Sequence, residues 1–175
     1  TDFLFLPVAW SLYISLRGIN QNAILAGVSF LVLFVVLDLA VTWPNYASLI
    51  RLSSKYAAAA NDTQQMAVVA ATYYPFEVLS SGLFGVYAIL VPSLGILITG
   101  IVMLKGGFGL VTAYLGIVTG VSGIVAVIGP LFAPSFGMVA VVTSVFTLVW
   151  LLFVGCKLIR QSKPESASQG KNKYI

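Results

Sequence analysis

The chain has 175 residues, nine basic against five acidic, for a net charge of +4, and 59% of it is apolar. Charged residues make up only 8%, against the roughly 25% a soluble domain needs to face water, so a water-soluble globule is excluded. There is no histidine and one cysteine, Cys156. Haem, zinc, copper and iron–sulfur centres therefore lack donors, no internal disulfide forms, and no cofactor, metal or catalytic residue is expected. In hydrocarbon every backbone amide needs an internal partner, which leaves a helix bundle or a closed barrel. The apolar runs last about twenty residues without alternation, as spanning helices require. The expected fold is an all-α, polytopic transmembrane helix bundle over residues 1–160.

Taken in chain order, the first predicted span covers 3–16, holds Pro7 and ends at Arg17. The chain begins inside this apolar run, which suggests that at least one helix precedes it. The second span covers 23–43, where Trp43 and Pro44 supply an interfacial aromatic and a helix breaker. Residues 45–82 are less apolar. Tyr46, Leu49, Ile50, Tyr56, Ala57 and Ala60 recur at helical spacing, Asn61-Asp62-Thr63 interrupts, and Asp62 with Gln65 resembles a capping box opening a second, Ala-rich helix. This segment reads as an extracytoplasmic helical hairpin lying on, or capping, the bundle. Spans follow at 83–104, 110–129 and 136–159, joined by Lys105-Gly106-Gly107 and by a turn between Pro130 and Pro134. The last stretch, 161–175, reads as a disordered basic tail.

Basic residues set the orientation. With the C-terminus in the cytoplasm, Arg17, Lys105, Lys157, Arg160, Lys163, Lys171 and Lys173 all fall inside, and only Arg51 and Lys55 fall outside. The positive charge thus points to a cell-membrane location with a cytoplasmic C-terminus, and to the lipid bilayer rather than nucleic acid as partner.

Asp38 is the one carboxylate inside a predicted span, and intramembrane ionisable groups are functional candidates by default. It lies five residues before Trp43, near enough to the interface to be hydrated, to bond Thr42, or to pair with Arg51 or Lys55. Glu77 follows Pro75 by two residues, which suits an ordinary helix start, or else makes it a ligand- or ion-binding partner of Asp38. Gly116, Gly120 and Gly123 form a small-residue face suited to close helix packing.

Three stretches carry a resemblance to a known family. They are Tyr56-Ala57-Ala58-Ala59-Ala60-Asn61-Asp62-Thr63-Gln64-Gln65, then Thr112-Ala113-Tyr114-Leu115-Gly116-Ile117-Val118-Thr119-Gly120, then Leu148-Val149-Trp150-Leu151-Leu152-Phe153-Val154-Gly155 before the basic tail. With the order of the spans, these resemble a prokaryotic multi-pass membrane protein family defined only as a domain of unknown function. The resemblance covers most of residues 20–160. It implies a six-helix bundle, one helix more than the five spans counted here, and transfers no functional residue. The expected function is a non-catalytic accessory or sensory bundle with a protein partner or an oligomeric state. The alternative is a small-solute or ion transporter or channel using Asp38 and Glu77.

Overall fold

A computed structural model describes residues 2–162, which form helices joined by short turns, with no strand among them. The helices are α1 (Phe5–Leu16), α2 (Gln21–Leu37), α3 (Trp43–Ala57), α4 (Asp62–Ser80), α5 (Gly82–Gly85), α6 (Val91–Met103), α7 (Leu110–Ile128) and α8 (Val139–Ser162). Two π-helical turns, Asp38–Thr42 and Val86–Leu90, splice α2 to α3 and α5 to α6. Four helical stretches are long and apolar enough to cross a bilayer: Gln21–Ala57, Asp62–Met103, Leu110–Leu131 and Ser135–Gln161. Helix α1 has 12 residues, about 18 Å at 1.5 Å per residue, short of the ~30 Å hydrocarbon core. The first of the five predicted spans is thus not of spanning length. Of the predicted tail, Gln161 and Ser162 continue α8 and 163–175 lie outside the described residues.

Chain order and spatial order differ. Helix α2 packs on α1 and α6, α7 packs on α6 and α8, and α8 returns to touch α1. The side chains closed into the middle include Leu12, Leu16, Ile24, Leu31, Ile96, Met103, Phe108 and Trp150. Outward faces are just as apolar: Val32 and Val36, Val118 and Val121, Val141, Val145 and Leu152 are all exposed. Such continuous apolar exterior suits lipid, because a soluble monomer rarely shows patches beyond a few hundred Å².

Glycine decides where helices touch. A Cβ on Gly95 would lie 2.8 Å from the Gly27 carbonyl oxygen, so α2 and α6 meet backbone to backbone. On α7, a Cβ at Gly116 would meet Trp150 Nε1 at 2.7 Å, one at Gly120 would meet Leu97 Cβ at 2.5 Å, and one at Gly123 would run into Ser93. Gly107 and Gly109 serve differently: φ values of +68° and +88° let them close the α6–α7 turn.

Four of the six basic residues among the described ones gather at one end of the bundle. A Cβ on Gly106 would meet Ile19 and Leu16, which places the Lys105 turn beside the Arg17 turn. Gly109 would meet Lys157 Nζ at 3.6 Å, which adds the end of α8 with Arg160. The α7–α8 turn, 129–138, lies at the opposite end and exposes Leu131, Phe132 and Met138.

Three local expectations change. Pro44 does not end the second span: the helix runs on to Ala57, because the π-turn just before the proline widens the coil where its ring would strike the carbonyl four residues back. Pro75 does not begin a helix either. It sits buried inside α4, and the break comes at Ser81, whose backbone is extended and whose hydroxyl caps Phe84 N–H at 3.4 Å. The N-cap of α4 is Asn61 rather than Asp62. Asn61 Oδ1 accepts from Gln64 N–H at 2.9 Å, Gln64 Oε1 accepts from Ala60 N–H at 3.0 Å, and Asp62 falls in the first turn, where the helix dipole favours it.

Helices α3 and α4 pack on each other across the turn at 58–61 rather than lying over the bundle. Helix α3 buries no residue and α4 buries only Pro75. A Cβ on Gly85 would lie 3.9 Å from Val127, so α5 is level with the end of α7. Helix α4, with 19 residues, is about 28 Å long.

Candidate functional site

The two π-turns follow one rule. Trp43 N–H bonds the Asp38 carbonyl, and Val91 N–H bonds the Val86 carbonyl, each five residues back rather than four. The next residue in each case is a proline, Pro44 or Pro92, which has no N–H to give. Neither the amide four residues on nor the one five residues on can therefore serve the carbonyl of Leu39, or that of Tyr87. The Asn45 side chain donates to another carbonyl of the first turn, that of Val41, at 2.7 Å. π-turns inside longer helices recur at functional sites.

The paired turns are tied together by buried polar side chains. Asp38, Thr42 and Tyr87 are 6%, 7% and 5% exposed. The Thr42 and Tyr87 hydroxyls share a hydrogen bond of 3.2 Å. Phe84 sets the Tyr87 ring edge-on, with centroids 5.6 Å apart. Asp38 and Thr42 belong to the same π-turn, and both are buried. A cavity of about 240 Å³ lies beside the second proline turn, and Asp38, Thr42 and Tyr87 are not in its lining. It is lined by Phe34, one turn before Asp38, by Ala88, Ile89 and Pro92 of the second proline turn, and by Thr143 and Thr147 of α8. The two threonines return their hydroxyls to Val139 and Thr143 carbonyls at 2.9 Å each.

Asp38 is thus buried within the bundle rather than hydrated at its edge. Arg51 lies 13 residues further along a continuing helix, about 20 Å away along the axis, and does not fold back onto it. Glu77 is exposed on α4. Neither Asp38 nor Glu77 lines any of five cavities formed by the described residues. Sequence reasoning names Thr42 only as a bonding partner for Asp38, and it misses Tyr87. The signal that points to Tyr87 is its place in an aliphatic span, five residues before a mid-span proline, where a buried hydroxyl needs a partner.

Gly116, Gly120 and Gly123 are all buried on α7, facing Trp150, Leu97 and Ser93. Trp150 is fully buried, and its indole N–H has no acceptor, the one buried side-chain nitrogen or oxygen among the described residues in that position. No group of three or more His, Cys, Asp or Glu side chains stands ready for a metal ion among those residues.

Comparison with family models, with curated proteins and with solved structures finds no match to this chain.

Proposed function

We propose that this protein is a non-catalytic membrane bundle that holds out the α3–α4 hairpin to meet a protein partner. The carrying observation is the hairpin's unspent apolar surface. Tyr46, Ile50 and Tyr56 on α3, and Met66, Val69 and Tyr73 on α4, are all exposed, while the pair buries only Pro75. Arg51, Lys55, Asp62 and Glu77 are exposed on the same pair, which favours a place outside the hydrocarbon, where charge costs little. The clustering of Arg17, Lys105, Lys157 and Arg160 at the other end supports a cytoplasmic C-terminus and an extracytoplasmic hairpin. A partner with an apolar groove or helix face complements a surface of this kind. The transporter reading needs Asp38 and Glu77 in one water-filled space. The burial of the first and the exposure of the second favour the docking reading.

Photo-crosslinking residues placed at Ile50 and Met66 test this in native membranes, with Val121 and Val145 as lipid-facing controls. The hairpin positions are expected to give discrete protein adducts that disappear in a Tyr46→Asp background. Identical patterns from hairpin and control positions would sink the idea. Sidedness is checked by a cysteine at Ala59 in a Cys156→Ser background. Labelling by an impermeant maleimide in intact cells is expected, and labelling only after permeabilisation refutes the orientation.

A further inference from the structure

Gly27 and Gly95 bring α2 and α6 into backbone contact. One turn nearer the basic end, a cleft of about 130 Å³ opens between the same two helices. Its walls are apolar, with Ala23 on α2, Ile98 and Ile101 on α6, and Ile19 from the turn before α2. Two polar residues complete the lining, Asn20 and Lys105, both exposed. Ile101 is 51% exposed, so the cleft looks outward, on the apolar exterior that faces lipid. The order of these groups along the helix selects the occupant. Ile101 and Ile98 lie two and five residues inside the end of α6 at Met103, about 3 and 8 Å, and Lys105 lies just beyond that end. A cation at the surface with an apolar wall beneath it matches the phosphate and acyl chain of a phospholipid. A free phosphate has no use for the wall, and an uncharged lipid has none for the cation. Asn20 Oδ1 already accepts from Ala23 N–H at 3.1 Å, so its side-chain NH2 is the group left to donate. The charge around the cleft is of one sign. Arg17, Lys157 and Arg160 share this end with Lys105. Of the described acidic residues, Asp2 lies before α1, Asp38 follows the far end of α2, and Asp62 and Glu77 are on the hairpin. Basic pockets between membrane helices are the kind that take anionic headgroups, and a lysine stem lies along apolar surface while its ammonium stays at the water.

We propose that the cleft between α2 and α6 binds one anionic phospholipid, its phosphate held by Lys105 Nζ and the Asn20 amide, with an acyl chain laid on Ala23, Ile98 and Ile101. The lipid bridges the turn before α2 and the turn after α6, so its occupancy ties together two helices that glycines join deeper in the bundle. The site is independent of whatever the hairpin binds.

Native mass spectrometry of the full chain, released from detergent and titrated with dioleoyl phosphatidylglycerol, tests it against dioleoyl phosphatidylcholine, which has the same chains and no net charge. The first phosphatidylglycerol is expected to bind several-fold more tightly than the first phosphatidylcholine. Lys105→Gln is expected to weaken phosphatidylglycerol by about fivefold, the worth of one basic residue at an anionic surface, while Lys105→Arg keeps the affinity. Ala23→Leu fills the cleft and is expected to weaken binding several-fold with every charge in place. If that variant does not fold, Lys105→Gln, on an exposed turn, still decides the matter. Arg51→Gln, on the hairpin, leaves binding unchanged. The thermal midpoint of the wild type is expected to rise with phosphatidylglycerol and not with glycerol phosphate at the same concentration. Equal affinity for the two lipids overturns the proposal, as does wild-type affinity in Lys105→Gln. Equal losses in Lys105→Gln and Lys157→Gln, the mark of a diffuse positive field rather than a site, overturn it too. So does equal stabilisation by glycerol phosphate, which would make the site one for a free anion.

Discussion

Replacing Gly120 by alanine adds one methyl group where α7 lies against the backbone of α6. The new Cβ would stand 2.5 Å from Leu97 Cβ and 2.8 Å from both Leu97 Cα and Leu97 N. Non-bonded carbons rest about 3.5–4.0 Å apart, so the two helices must separate by roughly 1 Å, and main-chain atoms cannot swing aside. Overpacking of this kind costs about 1–3 kcal/mol, and contact with backbone puts Gly120→Ala toward the upper end. Alanine returns about 1 kcal/mol through its better helix propensity, which leaves a net loss of about 1–2 kcal/mol. Gly155 on α8 is the matched control, because nothing lies within 4 Å of its added Cβ. There the propensity gain acts alone, and Gly155→Ala is expected to stabilise by about 0.5–1 kcal/mol. Thermal unfolding in detergent, followed by far-UV circular dichroism, reads the contrast. At about 2–4 °C per kcal/mol for a chain of this size, Gly120→Ala melts below the wild type and Gly155→Ala slightly above it. A Gly120→Ala protein as stable as Gly155→Ala would refute backbone contact as what holds α6 to α7.

The hydrogen bond between Thr42 and Tyr87 is measurable by a double-mutant cycle of Thr42→Val and Tyr87→Phe, with an expected coupling of about 0.5–1.5 kcal/mol in the unfolding free energy. A coupling of zero would separate the two π-turns energetically. Trp150 fills the centre of the core with an N–H that has no acceptor, so Trp150→Phe gives up volume but also removes an unsatisfied donor. It is expected to cost less than about 1.5 kcal/mol, against about 3–5 kcal/mol for Trp150→Ala, both read by denaturant titration in micelles. Asn61→Ala removes the cap on α4 and is expected to cost about 1 kcal/mol locally. Amide exchange in the first turn of α4 should speed up while the bundle core is unchanged, and unchanged exchange at Gln64 would contradict the assignment of the cap.

Composition alone dictated the helical class, since so few charges leave no aqueous surface to build and twenty-residue apolar runs leave no other way to satisfy the backbone. The turns at Arg17 and Lys105 were legible for the same local reason: charge and glycine stop an apolar helix wherever they fall. Prolines were less legible, because their effect depends on the register of the coil around them. Pro44 reads as a stop and Pro75 as a start, yet both lie inside continuous helices, one carried by a π-turn and one by the surface pair α3–α4. Asp38 was visible as an anomaly of composition, with Thr42 beside it on the same helix, but Tyr87 was not. Thr42 and Tyr87 are 45 positions apart, and only the packing of α2 against α6 brings their turns together. The glycines divide in the same way: the spacing of Gly116 and Gly120 marks a face, whereas Gly27 against Gly95 is a meeting of two helices that neither sequence segment announces. What the sequence by itself determined are the properties each helix owns: its length, its apolarity and its charged ends. Which helix lies against which, and hence the contact of Thr42 with Tyr87, was decided by tertiary structure, because close approach is a property of pairs of surfaces and of no single segment.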